Sequence, residues 1–154
     1  RISVVERTAF ALIERDGLRL ADEEGHALEP VYSLEEYRLP VISDETGFAS
    51  GFFEKWKEAS RCLKSLPAAE KERLLGIRTS DYGVLELAFK DDPVRVIVSG
   101  GSAAADLASF RSRRAEWEGL FGPLALVNMS FDGRVYVRPA EPAGDDLPHP
   151  DKGD

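Results

Sequence analysis

The sequence predicts an α+β protein in which a mainly antiparallel sheet is packed by two helices and preceded by a strand hairpin. Three observations lead to this fold class. Apolar residues recur with a period of two after residue 76, and with helical spacing between residues 52 and 66. The dipeptides Asp16-Gly17 and Asp132-Gly133 each separate two strand-like runs, as hairpin turns do. Strands grouped apart from helices favour α+β over alternating βαβ units.

The first part of the chain has the composition of paired strands. Residues 2–13, ISVVERTAFALI, are rich in β-branched and apolar side chains. After the Asp16-Gly17 turn, the run LRLADEEGHAL predicts a second strand that ends near Gly25. A connection follows from Pro30 to Pro40, and YRLPVI predicts an extended segment before a loop at SDETG.

A helix is predicted next, because five apolar residues recur at intervals of four and three and so share one face. These residues are Phe52, Trp56, Ala59, Leu63 and Leu66. The polar face is predicted to carry Lys55, Lys57, Glu58 and Lys64. The run PAAEKERLL predicts a short second helical segment that opens with Pro67.

The last part of the domain is predicted to be three strands, a long helix and a hairpin. GIRTS, GVLELAFK and VRVIVSG alternate as strands do. A helix from Ala103 to about Leu120 follows, with Ser102 as a candidate N-cap. Its core side is predicted to carry Leu107, Phe110, Trp117 and Phe121. LALVNMSF and RVYVR then form the closing hairpin.

Charge and composition exclude several classes of protein. The chain has 20 basic and 28 acidic residues, a net charge of −8, which excludes a general binder of phosphate backbones and predicts no nucleic-acid partner. A single cysteine excludes an internal disulfide framework. The sequence contains no stretch of about 18 apolar residues, so no membrane span is predicted within it. Because the chain begins with Arg1 rather than Met, we expect an anchor or signal to precede it.

No catalytic residue, metal ligand or cofactor site is predicted. The Gly100-Gly101-Ser102 turn lies between a strand and a helix, but it lacks the lysine of a P-loop and the dinucleotide-binding spacing. Cys62 is predicted to be a buried thiol, and His26 and His149 have no second ligand nearby. The acids Asp22 to Glu24 lack calcium-loop spacing and are predicted to form a solvated hairpin end.

Several motifs, in order, resemble the extracytoplasmic part of the FtsQ family of bacterial cell-division proteins, called DivIB in Gram-positive bacteria. VVERTAFALIERDGLRLADEEGHAL looks like the last strand hairpin of that family's POTRA domain, with Val5-Glu6-Arg7 and Ala21 to Gly25 at its motif positions. LPVI, at residues 39–42, is similar to the linker into the family's second domain. GVLELAFKDDPVRVIVSG, ADLASFRSRRAEW and LVNMSFDGRVYVRP continue in the family's order. The sequence departs from the family at residues 127–130, where VNMS replaces a strand with both an acid and a base.

The resemblance implies a domain organisation and a function. Residues 1–32 would be the C-terminal strands of a truncated POTRA domain, residues 33–140 an FtsQ-type β domain, and residues 141–154 a disordered tail. The implied protein is a non-enzymatic divisome scaffold with no cofactor, single-pass in the cell membrane, with this part periplasmic and concentrated at the division septum. The implied partners are FtsB/DivIC-like and FtsL-like division proteins. A POTRA-bearing module of an outer-membrane or secretion assembly is the alternative, and a small hydrolase or nucleotide binder using the Gly100–Ser102 turn is a third reading.

The closing strand is the predicted partner-binding site. Val135 and Val137 share one face, and Arg134, Tyr136 and Arg138 share the other. No strand follows, so unless an earlier strand covers it, this strand is an open edge to which a partner can add a strand. Phe131 and Gly133 belong to the predicted site as turn residues, although burial of Phe131 under the sheet is an alternative. Charged residues on an edge strand can instead serve to block aggregation. The residues alone favour neither this role nor partner binding. The family resemblance favours partner binding.

Overall fold

The computed structural model describes residues 8–32 and 37–141 of the 154-residue chain. Within them the sheet has nine strands: β1 (Ala11–Glu14), β2 (Leu18–Ala21), β3 (Ala27–Pro30), β4 (Val41–Asp44), β5 (Leu74–Thr79), β6 (Val84–Phe89), β7 (Asp92–Ser99), β8 (Leu124–Asn128) and β9 (Tyr136–Pro139). The helices are α1 (Phe52–Ser65), α2 (Ala68–Arg73) and α3 (Ala103–Phe121), and a 3₁₀ turn at Gly100–Ser102 leads into α3. The predicted α+β class is confirmed.

All nine strands form one continuous sheet in the order β3-β2-β1-β4-β5-β6-β7-β8-β9. Neighbouring strands pair antiparallel except in three places, where β1 pairs with β4, β4 with β5, and β7 with β8 in parallel. The sheet is therefore mainly antiparallel, as predicted. The first three strands, β1 to β3, form the front hairpin. The parallel pair of β1 and β4 joins it to the remaining strands.

The helices cover one face of this sheet and bury the main core. α1 packs against β5, α3 packs against β7 and β8, and the two helices also contact each other. The predicted face of α1 is confirmed, since Trp56, Ala59, Leu63 and Leu66 are buried and Phe52 packs at the margin. A smaller apolar cluster of Leu12, Leu20 and Val31 lies apart from this core.

Three expectations about local structure are wrong. The run after Asp16-Gly17 forms two strands, because the chain turns between Ala21 and Ala27 and returns as β3. Lys55 does not lie on a solvated face: it is 8% exposed and its Nζ reaches Asp44 and Asp81. Phe121 is 51% exposed, because it ends the last turn of α3 where the chain turns at Gly122 toward β8.

Other predictions concern residues that the structure does not describe. Val5-Glu6-Arg7, most of the tail and His149 lie outside the described ranges, as do residues 33–36 at the predicted domain boundary. The division into a POTRA part, a β domain and a tail therefore stays a prediction. No helix among the described residues has the length and apolar character needed to cross a membrane.

Candidate partner-binding edge

The predicted site lies at one end of the sheet, on its outermost strand. β9 pairs with β8 on its inner side, in the register Leu126 to Arg138 and Asn128 to Tyr136. On its outer side no strand of the described chain follows. The strand is Tyr136–Pro139 rather than the expected residues 134–138, so Arg134 and Val135 lead into it. Of the two positions considered for this strand, interior or edge, the structure shows the edge.

The side chains of this segment alternate as the sequence predicts. Val135 and Val137 are half-buried and pack against the main core. Tyr136 is 56% exposed, and Arg134 and Arg138 are exposed. On the sheet face away from the helices, Arg95, Leu126 and Arg138 lie side by side across β7, β8 and β9. A strand added beside β9 would extend that row next to a guanidinium group.

The backbone of β9 offers hydrogen-bonding groups to such a strand. The Ala140 N–H donates to the Pro123 carbonyl at 2.8 Å, so the backbone groups of Ala140 face β8. Inward and outward groups alternate along an antiparallel strand, which turns the N–H and C=O of Val137 outward. Pro139, two residues on, has no N–H to offer. Val137 is therefore the residue of β9 with both an outward donor and an outward acceptor.

The hairpin before β9 is ordered by local contacts. Gly133 has a φ of 73°, in the left-handed region that glycine adopts without strain. The Arg134 guanidinium lies over the Phe131 ring, 5.7 Å from its centroid. Phe131 itself is 48% exposed, so it is not buried under the sheet. The predicted turn residues thus present an aromatic and a cationic group beside the open edge.

A groove of about 470 Å³ runs between this hairpin and the end of α3. Trp117 forms its buried wall, and Leu120 and Phe121 expose 68% and 51% of their surface along its rim. Sequence reasoning missed this feature because it assigned Phe121 to the core. This groove, lined by charged as well as apolar side chains, lies directly beside the strand edge and can receive the inward-facing side chains of an added strand.

The opposite edge of the sheet is blocked by its own residues. Ala27 and Pro30 of β3 are three residues apart, but their partners on β2, Ala21 and Arg19, are only two residues apart. The extra residue gives β3 a bulge. Pro30 removes one donor, and the Arg19 Nη1 donates to the Leu28 carbonyl at 3.2 Å. Bulges, prolines and charged side chains are the means by which sheet edges avoid pairing. β9 also carries a proline and the charged Arg138, and its pairing with β8 shifts register, but on its outer side no strand of the described residues follows.

The Gly100–Ser102 turn is filled by the protein itself. A Cβ atom at Gly100 would lie 2.6 Å from Glu58 Oε2, so a carboxylate already occupies the space beside the start of α3. Ser102 stands at the predicted cap position but makes no capping bond; its Oγ donates to Asp106 Oδ2 at 2.9 Å instead. An anion such as phosphate would meet the Glu58 carboxylate here, which favours a structural turn over an anion-binding loop.

The remaining candidates are structural. Cys62 is buried, and burial raises the pKa of its thiol to about 12, which keeps it protonated. Asp22 is buried rather than solvated: its Oδ1 accepts the N–H groups of Glu24 and His26, and its Oδ2 lies 3.1 Å from His26 Nδ1. Asp22 therefore fixes the turn between β2 and β3, whereas Glu23 and Glu24 are exposed, as predicted for a solvated hairpin end. In the described part of the chain no group of three or more His, Cys, Asp and Glu residues is placed to hold a metal.

The described residues form an α+β module with helices on one face of a mixed sheet and β9 as an outer strand. Neither a protein-family model nor a curated protein matches the sequence. Among solved structures, the chain is similar to the major extracytoplasmic domain of the cell-division protein DivIB, in its trans isomer, from Geobacillus stearothermophilus. The TM-score is 0.49 and the identity 18%, over 75% of this chain and 98% of that one. These values do not show the family, so membership of the FtsQ/DivIB family stays a prediction.

Proposed function

We propose that this chain is the extracytoplasmic part of a non-enzymatic scaffold of bacterial cell division. In this proposal the protein is anchored in the cell membrane by a segment outside the sequence and works at the division septum. It holds an FtsB/DivIC- or FtsL-like partner, which adds a strand to the outer side of β9. The observation that carries the proposal is the position of β9 at an outer edge of the sheet, where no strand of the described residues follows it.

The chemistry of the edge suits a partner strand with alternating character. Backbone pairing to Val137 would supply affinity that does not depend on sequence, and the outward side chains would supply selectivity. Arg138 and Arg134 put cationic groups on a chain whose net charge is −8. An acidic partner residue beside Arg138 and an apolar residue facing the groove at Trp117 would match the two faces. Tyrosine and arginine are also residue types enriched at interface hot spots.

The direct test is a binding titration with the soluble extracytoplasmic segment of the FtsB-like protein from the same organism. Val137→Pro removes the outward N–H of β9 but leaves the bonds to β8, because the Val137 donor does not face β8. Val137→Thr is the matched control, since it keeps the donor and the branched shape. We expect Val137→Pro to weaken binding by about tenfold or more, the effect of roughly 1.4 kcal/mol, and Val137→Thr to change it little.

Both variants must first show the circular dichroism and thermal transition of the unaltered protein. Equal binding by a folded Val137→Pro variant would move the partner site away from β9. No binding by the unaltered protein would remove this partner class from the proposal.

A further inference from the structure

The outer side of α1 carries a line of cationic side chains. Lys57, Arg61 and Lys64 follow Phe53 at intervals of four, four and three residues, so the four side chains lie along one flank of the helix. All four are exposed, and Phe53 exposes 75% of its surface. These four residues are called the basic stripe below. Since the buried side chains of α1 lie on a different face, the stripe points away from the sheet.

The exposed acidic residues of α1 lie on the other flank. Glu54 lines a cavity together with Asp81, at the turn between β5 and β6. A Cβ atom at Gly100 would lie 2.6 Å from Glu58 Oε2, so the Glu58 carboxylate faces the start of α3. Neither acid therefore stands among the cations of the stripe.

Two of the three cations lack a counter-ion in the protein. Lys64 Nζ pairs with a Glu23 carboxylate oxygen. Lys57 and Arg61 form no ion pair with any residue of the ranges 8–32 and 37–141. The stripe is a local surplus of positive charge on a chain whose net charge is −8.

A shallow concavity of about 400 Å³ lies between the cationic side chains. Its lining comes from α1 alone and consists of Lys57, Ser60, Arg61, Lys64 and Ser65. Lysine and arginine are the side chains that bind phosphate oxygens most strongly in proteins. The stripe therefore offers phosphate groups a place at the surface rather than a closed pocket.

We propose that the basic stripe docks on the anionic surface of a lipid bilayer, with its three cations at the lipid phosphates. From Phe53 to Lys64 the stripe is about 16 Å long, so it spans several headgroups of a flat surface. The exposed ring of Phe53 at its end favours a bilayer over an acidic protein segment, because aromatic side chains sit well at the membrane–water interface.

The negative net charge of the chain does not prevent this docking. At physiological ionic strength the Debye length is about 8 Å, so charges farther from the lipid surface are largely screened. The side chains in contact with the headgroups then decide the interaction. Each lysine or arginine near an anionic membrane strengthens binding about fivefold, so three cations give a weak and reversible contact.

The docked orientation leaves the proposed partner edge free. α1 packs against β5, which lies four positions from β9 in the order of the sheet. The bilayer would therefore cover the outer side of α1, and β9 would stay open to a partner strand. The docking does not depend on that partner, and its test contains no partner protein.

Vesicles of phosphatidylcholine with roughly one third phosphatidylglycerol test the docking. The 154-residue chain should sediment with them at about 0.1 M salt and be released at about 0.5 M, where the Debye length is roughly halved. Vesicles of phosphatidylcholine alone should not bind it. No sedimentation with the anionic vesicles at the lower salt would overturn the proposal. Binding to a polyglutamate peptide but not to vesicles would assign the stripe to an acidic protein, and would overturn it too.

Two pairs of substitutions separate the stripe from the net charge. Lys57→Gln with Arg61→Gln should weaken binding to the anionic vesicles about 10- to 30-fold, at roughly fivefold for each cation. Arg78→Gln with Lys90→Gln is the matched control, because it removes the same charge from exposed positions outside α1 and should change binding less than about twofold. Equal losses in the two pairs would show that net charge alone decides, and would overturn the proposal.

The orientation is measured by NMR with lipid nanodiscs of the same composition that carry a paramagnetic headgroup. Amide signals of residues 57–65 should broaden more than those of β9, because the outer side of α1 faces the lipid. Broadening centred on another surface of the molecule would place the membrane contact elsewhere and contradict the proposal.

Discussion

Asp44 shows how one side chain orders the turn between the sheet and the first long helix. Its Oδ2 accepts from the Thr46 hydroxyl, the Phe48 N–H and Lys55 Nζ, and its Oδ1 accepts from Thr79 Oγ1 at 2.7 Å. Burial acts to raise the pKa of this carboxyl, but the hydrogen bonds outweigh it and hold the pKa well below its usual range. The same bonds hold Phe48 at a φ of 62°, which is strained for an aromatic residue.

Replacement of Asp44 by Asn is therefore expected to be strongly destabilising at neutral pH. The amide cannot accept all these bonds as a charged group, and we expect a loss of about 2–4 kcal/mol in the free energy of unfolding at pH 7. Since the folded pKa is below the unfolded value of about 3.9, the advantage of the native carboxylate is full above that value and declines as the pH falls below it. Urea unfolding at pH 7 and near pH 3 should show the difference between the two proteins shrinking in acid.

Asp81→Asn is the matched control, because Asp81 is the second carboxylate beside Lys55 but its side chain is 52% exposed. An exposed ion pair contributes about 0–1 kcal/mol, so this variant should lose far less stability than Asp44→Asn. Equal losses in the two variants would mean that neutralising Lys55, rather than ordering the turn, is the role of Asp44.

Residue roles could be predicted from the sequence where they depend on local spacing. The alternation of Val135 and Val137 with Tyr136 and Arg138 follows from the geometry of any strand, and the structure has it. The burial of Lys55 could not be predicted, because its partners lie 11 and 26 positions away in the chain and no short-range pattern joins them. A charged residue near the start of a helix is predicted to be solvated, because the sequence does not show which distant residues pair with it in the fold.

At the scale of elements, the junction of β4 and β5 depends on close backbone approach. Gly76 lies opposite Val41 in this parallel pair, and a Cβ atom there would be 2.7 Å from the Val41 carbonyl oxygen. The sequence places Gly76 at the start of a strand, whereas β5 begins at Leu74. The error has a physical cause: Leu74 continues the polar-apolar pattern of α2, and burial in the core, not propensity, makes it extended.

Gly76→Ala should therefore destabilise the protein by about 1–3 kcal/mol, since the added methyl group meets backbone that can move only by separating the strands. Gly119→Ala is the paired comparison, because a Cβ atom in this part of α3 has no neighbour within 4 Å. It should raise the free energy of unfolding by about 0.5–1 kcal/mol through helix propensity. Urea unfolding of both variants gives the two signs, and a neutral Gly76→Ala would show that β4 and β5 can shift apart.

Across the whole molecule, the front hairpin and the remaining strands share one core. Ala11, Ile13 and Ala21 belong to the same buried cluster as Val98 and Val127 at the far side of the sheet. The two parts are also joined by polar contacts, since Trp56 Nε1 donates to the Glu23 carbonyl at 2.9 Å. The resemblance to the FtsQ family predicts two units, with the first ending at residue 32. The pattern of residues along the chain does not reveal that β1 pairs in parallel with β4, and this pairing joins the two parts into one sheet.

The shared core predicts that the described part of the chain unfolds as one cooperative unit. Native-state amide exchange in increasing urea should give the same opening free energy for amides of β1 and of β7. Trp56→Phe removes the indole donor to Glu23 but keeps an aromatic ring in the core, and should lower both values equally, by about 1 kcal/mol. If the hairpin were an independent unit, only the β1 amides would lose protection, and β7 would keep its value. That outcome would support the predicted separate domain, of which the structure describes residues 8–32.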